Sequence, residues 1–74
     1  MDKLATIFGN ILREERKQKG MSQEKLANLC DLDRSYISRI ERGIISPTVK
    51  SLFVICAALE VEPADFVSKI SVQL

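Results

Sequence analysis

The sequence predicts an all-α fold of five short helices. Three observations support this prediction. Apolar residues recur at helical spacing along the chain, capping residues and glycines interrupt the pattern at short intervals, and 46% of the 74 residues are hydrophobic with only three Gly and two Pro. A chain of this length buries only about 60% of its unfolded surface and supports one core. We therefore expect a single compact domain over residues 1–74, with marginal stability that a dimer partner would raise.

The first helix is indicated by an apolar pattern that leads into a charged run. Gly20 follows this run, and we expect it to end the helix in a left-handed conformation. The apolar positions of the pattern are Leu4, Phe8, Ile11 and Leu12.

The second and third helices form a pair with a short turn between them. Ser22 and Asp33 are the expected N-caps, and Gly43 is the expected terminator of the third helix. The core-facing residues are Leu26, Ala27 and Cys30 in the second helix, and Ile37 and Ile40 in the third. Two short amphipathic helices with this spacing, over about residues 22–43, predict a helix-turn-helix whose second helix can lie in the major groove of DNA.

The fourth and fifth helices follow a loop at Pro47, since proline biases the preceding residue away from helix. Thr48 is the expected cap of the fourth helix, and Pro63 is a favoured first-turn residue of the fifth. The apolar residues are Leu52, Phe53, Ile55, Cys56 and Leu59 in the fourth helix, and Phe66, Val67 and Ile70 in the fifth.

Positive charge is concentrated in the predicted DNA-facing half. The formal net charge is only +1. Residues 13–50 carry nine basic and six acidic side chains, whereas residues 51–74 carry one basic and three acidic side chains. This asymmetry favours a positive field around the helix-turn-helix.

Several function classes are disfavoured by composition. The chain has no His and only two Cys, Cys30 and Cys56, each at an apolar helical position. We expect both to be buried small hydrophobes rather than metal ligands or a disulfide. Without His or a glycine-rich phosphate loop, we expect no enzymatic activity, no metal and no cofactor. No apolar run approaches the roughly 18 residues of a membrane span, and no secretory signal is visible, so we expect a soluble, cytoplasmic protein.

A set of short motifs runs from Leu12 to about Phe66. They are Gly20-Met21-Ser22-Gln23, Leu26-Ala27, Ile37-Ser38-Arg39-Ile40-Glu41-Arg42-Gly43, Pro47 and Val61-Glu62-Pro63. Together they resemble the XRE family of helix-turn-helix proteins, which includes the Cro and lambda repressor domains. The resemblance implies a phage-repressor-like DNA-binding domain.

Within that family, the stretch from Leu32 to Gly43 looks most like the controller proteins of restriction-modification systems. The resemblance implies a small homodimer that binds operators upstream of its own gene and of the endonuclease gene, activating and later repressing transcription. One departure concerns the loop after Gly43, where the family often has polar or basic residues. Here Ile44 and Ile45 stand instead, so we expect them to pack against the core or a partner.

Base reading needs side chains at the exposed N-terminal end of the recognition helix, where donors reach base edges. Arg34 and Arg39 are the candidates for bidentate contacts with guanine, with simple solvation as the alternative. Ser35 and Ser38 are candidates for contacts with bases or phosphates.

Contacts with the DNA backbone are expected from the start of the second helix and from the residues that flank the third. Gln23 resembles the glutamine that positions related repressors on DNA, and it lies where the helix dipole favours a phosphate. Tyr36 either stacks against sugar and phosphate or lays its ring across the preceding helix with a hydrated hydroxyl. The remaining candidates for phosphate contacts are Lys25, Arg42, Thr48 and Lys50, with an ordinary solvated charge as the alternative for each lysine.

Two further expectations concern assembly and stability. Arg16 and Glu41 match positions that pair by salt bridge in phage repressors, so the resemblance implies a structural ion pair. The last turn and tail, residues 66–74, carry more apolar surface than a small domain covers easily. We therefore expect a dimerisation segment over about residues 60–74, which forms a two-fold dimer from the fifth helix and part of the fourth. A locally packed tail is the alternative. The expected dimer residues are Phe66, Val67, Ile70, Val72 and Leu74.

The leading hypothesis is a sequence-specific, dimeric transcription regulator without cofactor or inducer domain, acting on a pseudo-palindromic operator in double-stranded DNA. Repression would follow from blocking RNA polymerase, and activation from touching it. An antitoxin or phage repressor is a second hypothesis, which the adjacent genes would distinguish. A protein-interaction module that uses the same fold is a third, and it predicts weak, salt-insensitive DNA binding.

Overall fold

Residues 2–74 are described by a computed structural model, and they form five α-helices without a β-strand in that range. The helices are α1 (Lys3–Gln18), α2 (Gln23–Cys30), α3 (Arg34–Glu41), α4 (Val49–Leu59) and α5 (Pro63–Gln73). Helix α3 packs against α1 and α2, whereas α5 packs against α1 and α4. The predicted all-α fold of five helices is confirmed.

Side-chain caps begin three of the helices. The Ser22 hydroxyl accepts a hydrogen bond from the backbone N–H of Lys25 at 3.0 Å, and Thr48 accepts one from Ser51 at 3.1 Å, so both predicted caps are confirmed. The Asp2 carboxylate caps α1 at 2.9 Å from the backbone nitrogen of Leu4. Each of these bonds satisfies a helix N–H group that has no intrahelical acceptor.

Asp33 is the N-cap residue of α3, as predicted. The residue occupies the N-cap position in extended conformation, but its carboxylate makes no cap hydrogen bond. Its backbone carbonyl accepts hydrogen bonds from the N–H groups of Tyr36 at 3.0 Å and Ile37 at 3.3 Å. Because Asp33 is exposed, water can hydrate both its carboxylate and the first N–H groups of α3.

Left-handed residues separate the helices. Gly20 has φ of 68° and Gly43 has φ of 74°, as predicted for helix terminators. Asp31, with φ of 55°, and Glu60, with φ of 59°, adopt the same conformation without being glycine. An L side chain meets steric resistance in this region, so the turns after α2 and α4 hold these residues in a less favoured conformation.

The hydrophobic core receives side chains from all five helices. Both cysteines are buried and carry free thiols, as expected of small hydrophobes. The rings of Phe8 and Phe66 pack at a centroid distance of 4.9 Å. The completely covered core side chains are Leu12, Leu26, Ile37, Ile40, Ile55, Cys56 and Leu59.

Two of the predicted dimer residues belong to this core. Phe66 is 2% exposed and Ile70 is 7% exposed within the protomer itself, which leaves almost none of either side chain for a partner. Their assignment to the dimer surface is therefore wrong. Helix α5 has apolar side chains on two sides, because Val67 and Val72 remain exposed, as does Leu74 directly after the helix.

Helices α1 and α3 approach one another at Gly9. A Cβ atom at Gly9 would overlap the carbonyl oxygen of Ile40 and would lie 2.9 Å from that of Glu41. The missing side chain thus lets α1 cross directly over the C-terminal end of α3. This close crossing brings the polar side chains of α1 against Glu41.

Residues 2–74 offer neither a membrane-spanning helix nor a cluster of metal-ligating side chains. No helix in this part of the chain combines the length and apolar character needed to cross a membrane. No three His, Cys, Asp or Glu side chains in the same range are grouped so that they could hold a metal ion.

Candidate nucleic-acid interface

The recognition helix α3 turns one face into the core and the other outward. Ile37 and Ile40 are fully buried. Arg34, Ser35 and Arg39 are exposed, and Ser38 is half-buried. The four residues predicted to read bases therefore lie along an outward edge that begins at the N-terminal end of α3, because side chains three and four residues apart share a helix face.

Tyr36 links α3 to the start of α4. Its half-buried ring packs against the hydrophobic core, and its hydroxyl donates a hydrogen bond to the Ser51 hydroxyl at 3.2 Å. Ser51 also accepts from the Thr48 hydroxyl at 3.2 Å. We expected the hydroxyl of a packed Tyr36 to be hydrated, whereas the structure engages it with α4.

Gln23 begins α2 and reaches across to the end of α3. Its carboxamide nitrogen donates to Oε1 of Glu41 at 3.1 Å. The neighbouring backbone N–H groups of Gln23 and Glu24 have no acceptor within the helix, and they lie at the positive end of the α2 dipole. Lys25 is exposed on the next position. The first turn of α2 thus combines N–H donors with one cation, Lys25, and one exposed carboxylate, Glu24.

Glu41 is the central acceptor of a buried polar cluster. Nε of Arg16 donates to Oε2 of Glu41 at 2.6 Å, and Nη2 of Arg16 donates to Oε1 at 2.9 Å. This bidentate pair is the one implied by the resemblance to phage repressors. The hydrogen bonds from the Arg16 guanidinium to Glu41 raise the pKa of that guanidinium above its ordinary value, so Arg16 stays protonated.

Arg13 joins this cluster, which the sequence analysis missed. Its Nη2 donates to the backbone carbonyl of Glu41 at 2.8 Å, and Nη1 of Arg16 donates to the carbonyl of Met21 at 2.7 Å. Arg13 and Arg16 are three residues apart and share one face of α1. That spacing was a usable signal, but the approach of α3 at Gly9 was not visible in the sequence.

The other predicted backbone contacts flank α3 and α4. Arg42, Thr48 and Lys50 are all exposed, and the Thr48 hydroxyl is already engaged in capping α4. In the preceding loop, Ile45 packs against the core, as one of the two expected alternatives. Ile44 is 56% exposed, so its apolar side chain faces outward next to these polar residues.

A second ion pair, also missed from the sequence, lies on the α1–α5 side of the molecule. The Lys69 ammonium pairs with the buried Glu15 carboxylate, and this hydrogen bond raises the pKa of Lys69. The groove beside the pair is otherwise acidic, being lined by Glu60, Glu62 and Asp65. The acidic side chains of residues 51–74 thus gather beside α5, whereas the outward edge of α3 carries arginines.

Comparisons with known proteins relate this arrangement to a family. The helix-turn-helix family profile matches residues 12–66. The control protein C.BamHI of Bacillus amyloliquefaciens is 48% identical over 60 residues, which cover 80% of this chain and 74% of that protein.

Two solved structures of restriction-modification controller proteins are also similar to this chain. The restriction-modification controller protein C.AhdI from Aeromonas hydrophila is 42% identical to this chain. The superposition covers 84% of this chain and 94% of the C.AhdI chain, with a TM-score of 0.81. The controller protein C.Esp1396I, solved as a tetramer in complex with its natural 35 base-pair operator, is 38% identical over 95% of this chain and 92% of its own, with a TM-score of 0.86. The chain therefore belongs to the XRE-type helix-turn-helix family, and restriction-modification controller proteins are among its relatives.

Proposed function

We propose that the chain is a sequence-specific, DNA-binding transcription regulator and the controller of a restriction-modification system. The observation that carries the proposal is the outward edge of α3, where Arg34, Ser35 and Arg39 are exposed while Ile37 and Ile40 are buried. A helix with polar side chains on its outer face and apolar side chains on its inner face can enter the major groove without disturbing the core. The relative C.Esp1396I, whose structure includes its operator, supports the same conclusion.

In this proposal, the α3 edge reads bases and its surroundings hold the DNA backbone. Arg34 and Arg39 present planar guanidinium groups, which match the two acceptors of guanine in the major groove. Ser35 and Ser38 supply shorter donors beside them. The backbone contacts, which set register and affinity without reading sequence, are assigned to Gln23, Lys25, Arg42 and Lys50, whereas the hydroxyl protons of Tyr36 and Thr48, the other two candidates, are donated to Ser51.

The chain acts as a homodimer on a pseudo-palindromic operator. Exposed apolar side chains on α5 and at its C-terminal end favour self-association, namely Val67, Val72 and Leu74. On α4, Phe53 is likewise 56% exposed. A two-fold dimer through these helices would place two recognition helices about 34 Å apart, which is one turn of DNA.

In this proposal, the concentration of the protein itself controls transcription. Dimers occupy operators upstream of the chain's own gene and of the endonuclease gene, and contact with RNA polymerase at one site activates transcription while occupancy of a neighbouring site blocks it. The names of the relatives C.BamHI and C.AhdI support the restriction-modification context. Endonuclease and methyltransferase genes adjacent to the coding sequence would be the genetic counterpart of this proposal.

The deciding experiment is selection of bound duplexes from a random pool, followed by titration of the selected duplex at rising salt. A pseudo-palindrome is expected, with an affinity that falls by about 10³–10⁵ between 50 and 200 mM salt if six to ten phosphates are contacted. Recovery of no common sequence, or weak binding that salt does not change, would instead indicate a protein-interaction module.

A further inference from the structure

The side chain of Gln23 does not move freely at the proposed DNA surface. Its carboxamide nitrogen is hydrogen-bonded to Oε1 of Glu41 at 3.1 Å, and the residue is half-buried. Glu41 belongs to another helix, 18 residues further along the chain. This contact joins the start of α2 to the end of the recognition helix.

Glu41 is itself rigidly held. Its side chain is 1% exposed, and Arg16 donates to both of its carboxylate oxygens. A second arginine, Arg13, places its Nε 3.7 Å from Oε1 of Glu41. Because two arginines hold the Glu41 carboxylate, it stays in place when the Gln23 side chain rotates.

The chemistry of the two groups decides which way the carboxamide turns. An ionised carboxylate only accepts hydrogen bonds, whereas a carboxamide donates from its nitrogen and accepts at its oxygen. Only the orientation with the nitrogen toward Glu41 forms the observed bond, because the opposite orientation would place two acceptors together. Glu41 therefore selects one of the two orientations of Gln23.

We propose that Glu41 is a positioning residue for DNA binding, which turns Gln23 so that its second N–H is available to a phosphate oxygen. A phosphate oxygen accepts hydrogen bonds and cannot use the carboxamide oxygen. The second N–H acts together with the open backbone N–H groups at the start of α2, which also favour an anion. This inference rests on the proposed function, and it adds a role in DNA affinity to the structural pairing of Glu41 with Arg16.

A double-mutant cycle tests the inference with the full chain. Glu41→Gln keeps the shape of the side chain but supplies both donor and acceptor groups, so Gln23 loses its preferred orientation. Dissociation constants are measured for the unchanged chain, Glu41→Gln, Gln23→Ala and the double variant, on a duplex selected from a random pool and on a scrambled duplex. Gln18→Ala, a change of an exposed glutamine on α1, is the matched control.

We expect Gln23→Ala to weaken binding about twofold to tenfold, the range of one hydrogen bond. The loss is equal on both duplexes, because a phosphate contact carries no sequence information. Glu41→Gln weakens binding more in the original background than in the Gln23→Ala background, where only the loss of its structural pairing with Arg16 remains. Equal losses from Glu41→Gln in both backgrounds would overturn the inference, since a purely structural role does not depend on Gln23.

Two features keep the result interpretable. Binding is compared only at temperatures where circular dichroism shows every variant folded. If the unchanged chain itself selects no sequence, the proposed function has failed; if it binds but the cycle is additive, only the role of Glu41 has failed.

A measurement on the unchanged chain covers the case in which Glu41→Gln does not fold. In ¹H–¹⁵N spectra, the Gln23 side-chain amide is identified by its absence from Gln23→Ala. One of its two protons should be shifted downfield and exchange slowly, as expected of a donor to a charged acceptor. Two protons with the shifts and exchange rates of the exposed Gln18 and Gln73 amides would overturn the inference.

Discussion

Arg16 and Glu41 form a bidentate ion pair across 25 residues of sequence, with donor–acceptor distances of 2.6 and 2.9 Å. The pair ties the end of the recognition helix to α1. Both residues are buried, Arg16 at 8% and Glu41 at 3% exposure. Burial makes the pair costly to break, because a lone charge would stay in a poorly solvated place.

We predict that Glu41→Ala destabilises the fold by about 3–5 kcal/mol, since it leaves Arg16 without its acceptor. Urea unfolding followed by circular dichroism measures the change in free energy. Glu24→Ala, which removes an exposed carboxylate from α2, is the control and should be nearly neutral. A Glu41→Ala variant that melts like the unchanged chain would rule out the structural role of the pair.

Gly9→Ala should also destabilise the fold, here for a steric reason. The added methyl group would lie 2.9 Å from the Glu41 carbonyl oxygen, and backbone atoms on both sides must move apart. The expected loss is about 1–3 kcal/mol, as for other overpacked sites. The neighbouring Asn10→Ala change, at an exposed position of α1, should have little effect in the same denaturation series; equal stability of the two variants would refute the close crossing.

Arg34→Ala should relax sequence preference at one base position in each half-site. Loss of a bidentate contact removes about 1–3 kcal/mol of discrimination against the wrong base. Repeating the selection with the variant measures this directly. Arg42→Ala is the matched control, expected to weaken all sequences alike. Uniform weakening by Arg34→Ala would assign Arg34 to the DNA backbone instead.

Val67→Asp should shift the chain from dimer to monomer, because it places a charge on the exposed apolar side of α5. Sedimentation velocity at micromolar concentration distinguishes the two states. Leu29→Asp makes the same kind of change at a position that is 51% exposed on α2, and it should leave the dimer intact. A sedimenting monomer for the unchanged chain would contradict the proposed assembly.

The two thiols should resist labelling in the folded chain. Burial, with a smaller contribution from Glu15, raises the pKa of Cys56 from 9.0 to about 11, and burial also raises the pKa of Cys30. Few reactive thiolates therefore exist at pH 8. A thiol reagent should label both residues quickly in urea and slowly without it; rapid native labelling would show that they are accessible.

The same shift has a consequence for stability at alkaline pH. The folded-state pKa of Cys56 lies above its ordinary value, so folding favours the protonated thiol. Its contribution to stability is complete below pH 9.0 and is lost as the pH rises through about 11. Unfolding free energies measured across this interval should fall less steeply for Cys56→Ala than for the unchanged chain.

Much of the local structure was predictable from the sequence because its causes are local. Ser22 and Thr48 cap the helices that follow them, and Gly20 and Gly43 take the left-handed conformation that ends a helix. Helical spacing alone also separated the buried Ile37 and Ile40 from the outward Arg34. These features depend on residues within one or two turns, so neighbouring sequence contains the required information.

Tertiary structure decided the features that depend on distant partners. Helical periodicity indicated that Phe66 and Ile70 form an apolar face, but only the fold shows that their own core covers it rather than a second chain. The contact between Gln23 and Glu41 joins α2 to α3, and the Glu41 carboxylate is held by Arg16 from α1, so the contact depends on how three helices pack. A residue's type and spacing determine which side of a helix is apolar or polar, whereas the packing of helices determines which group that side meets.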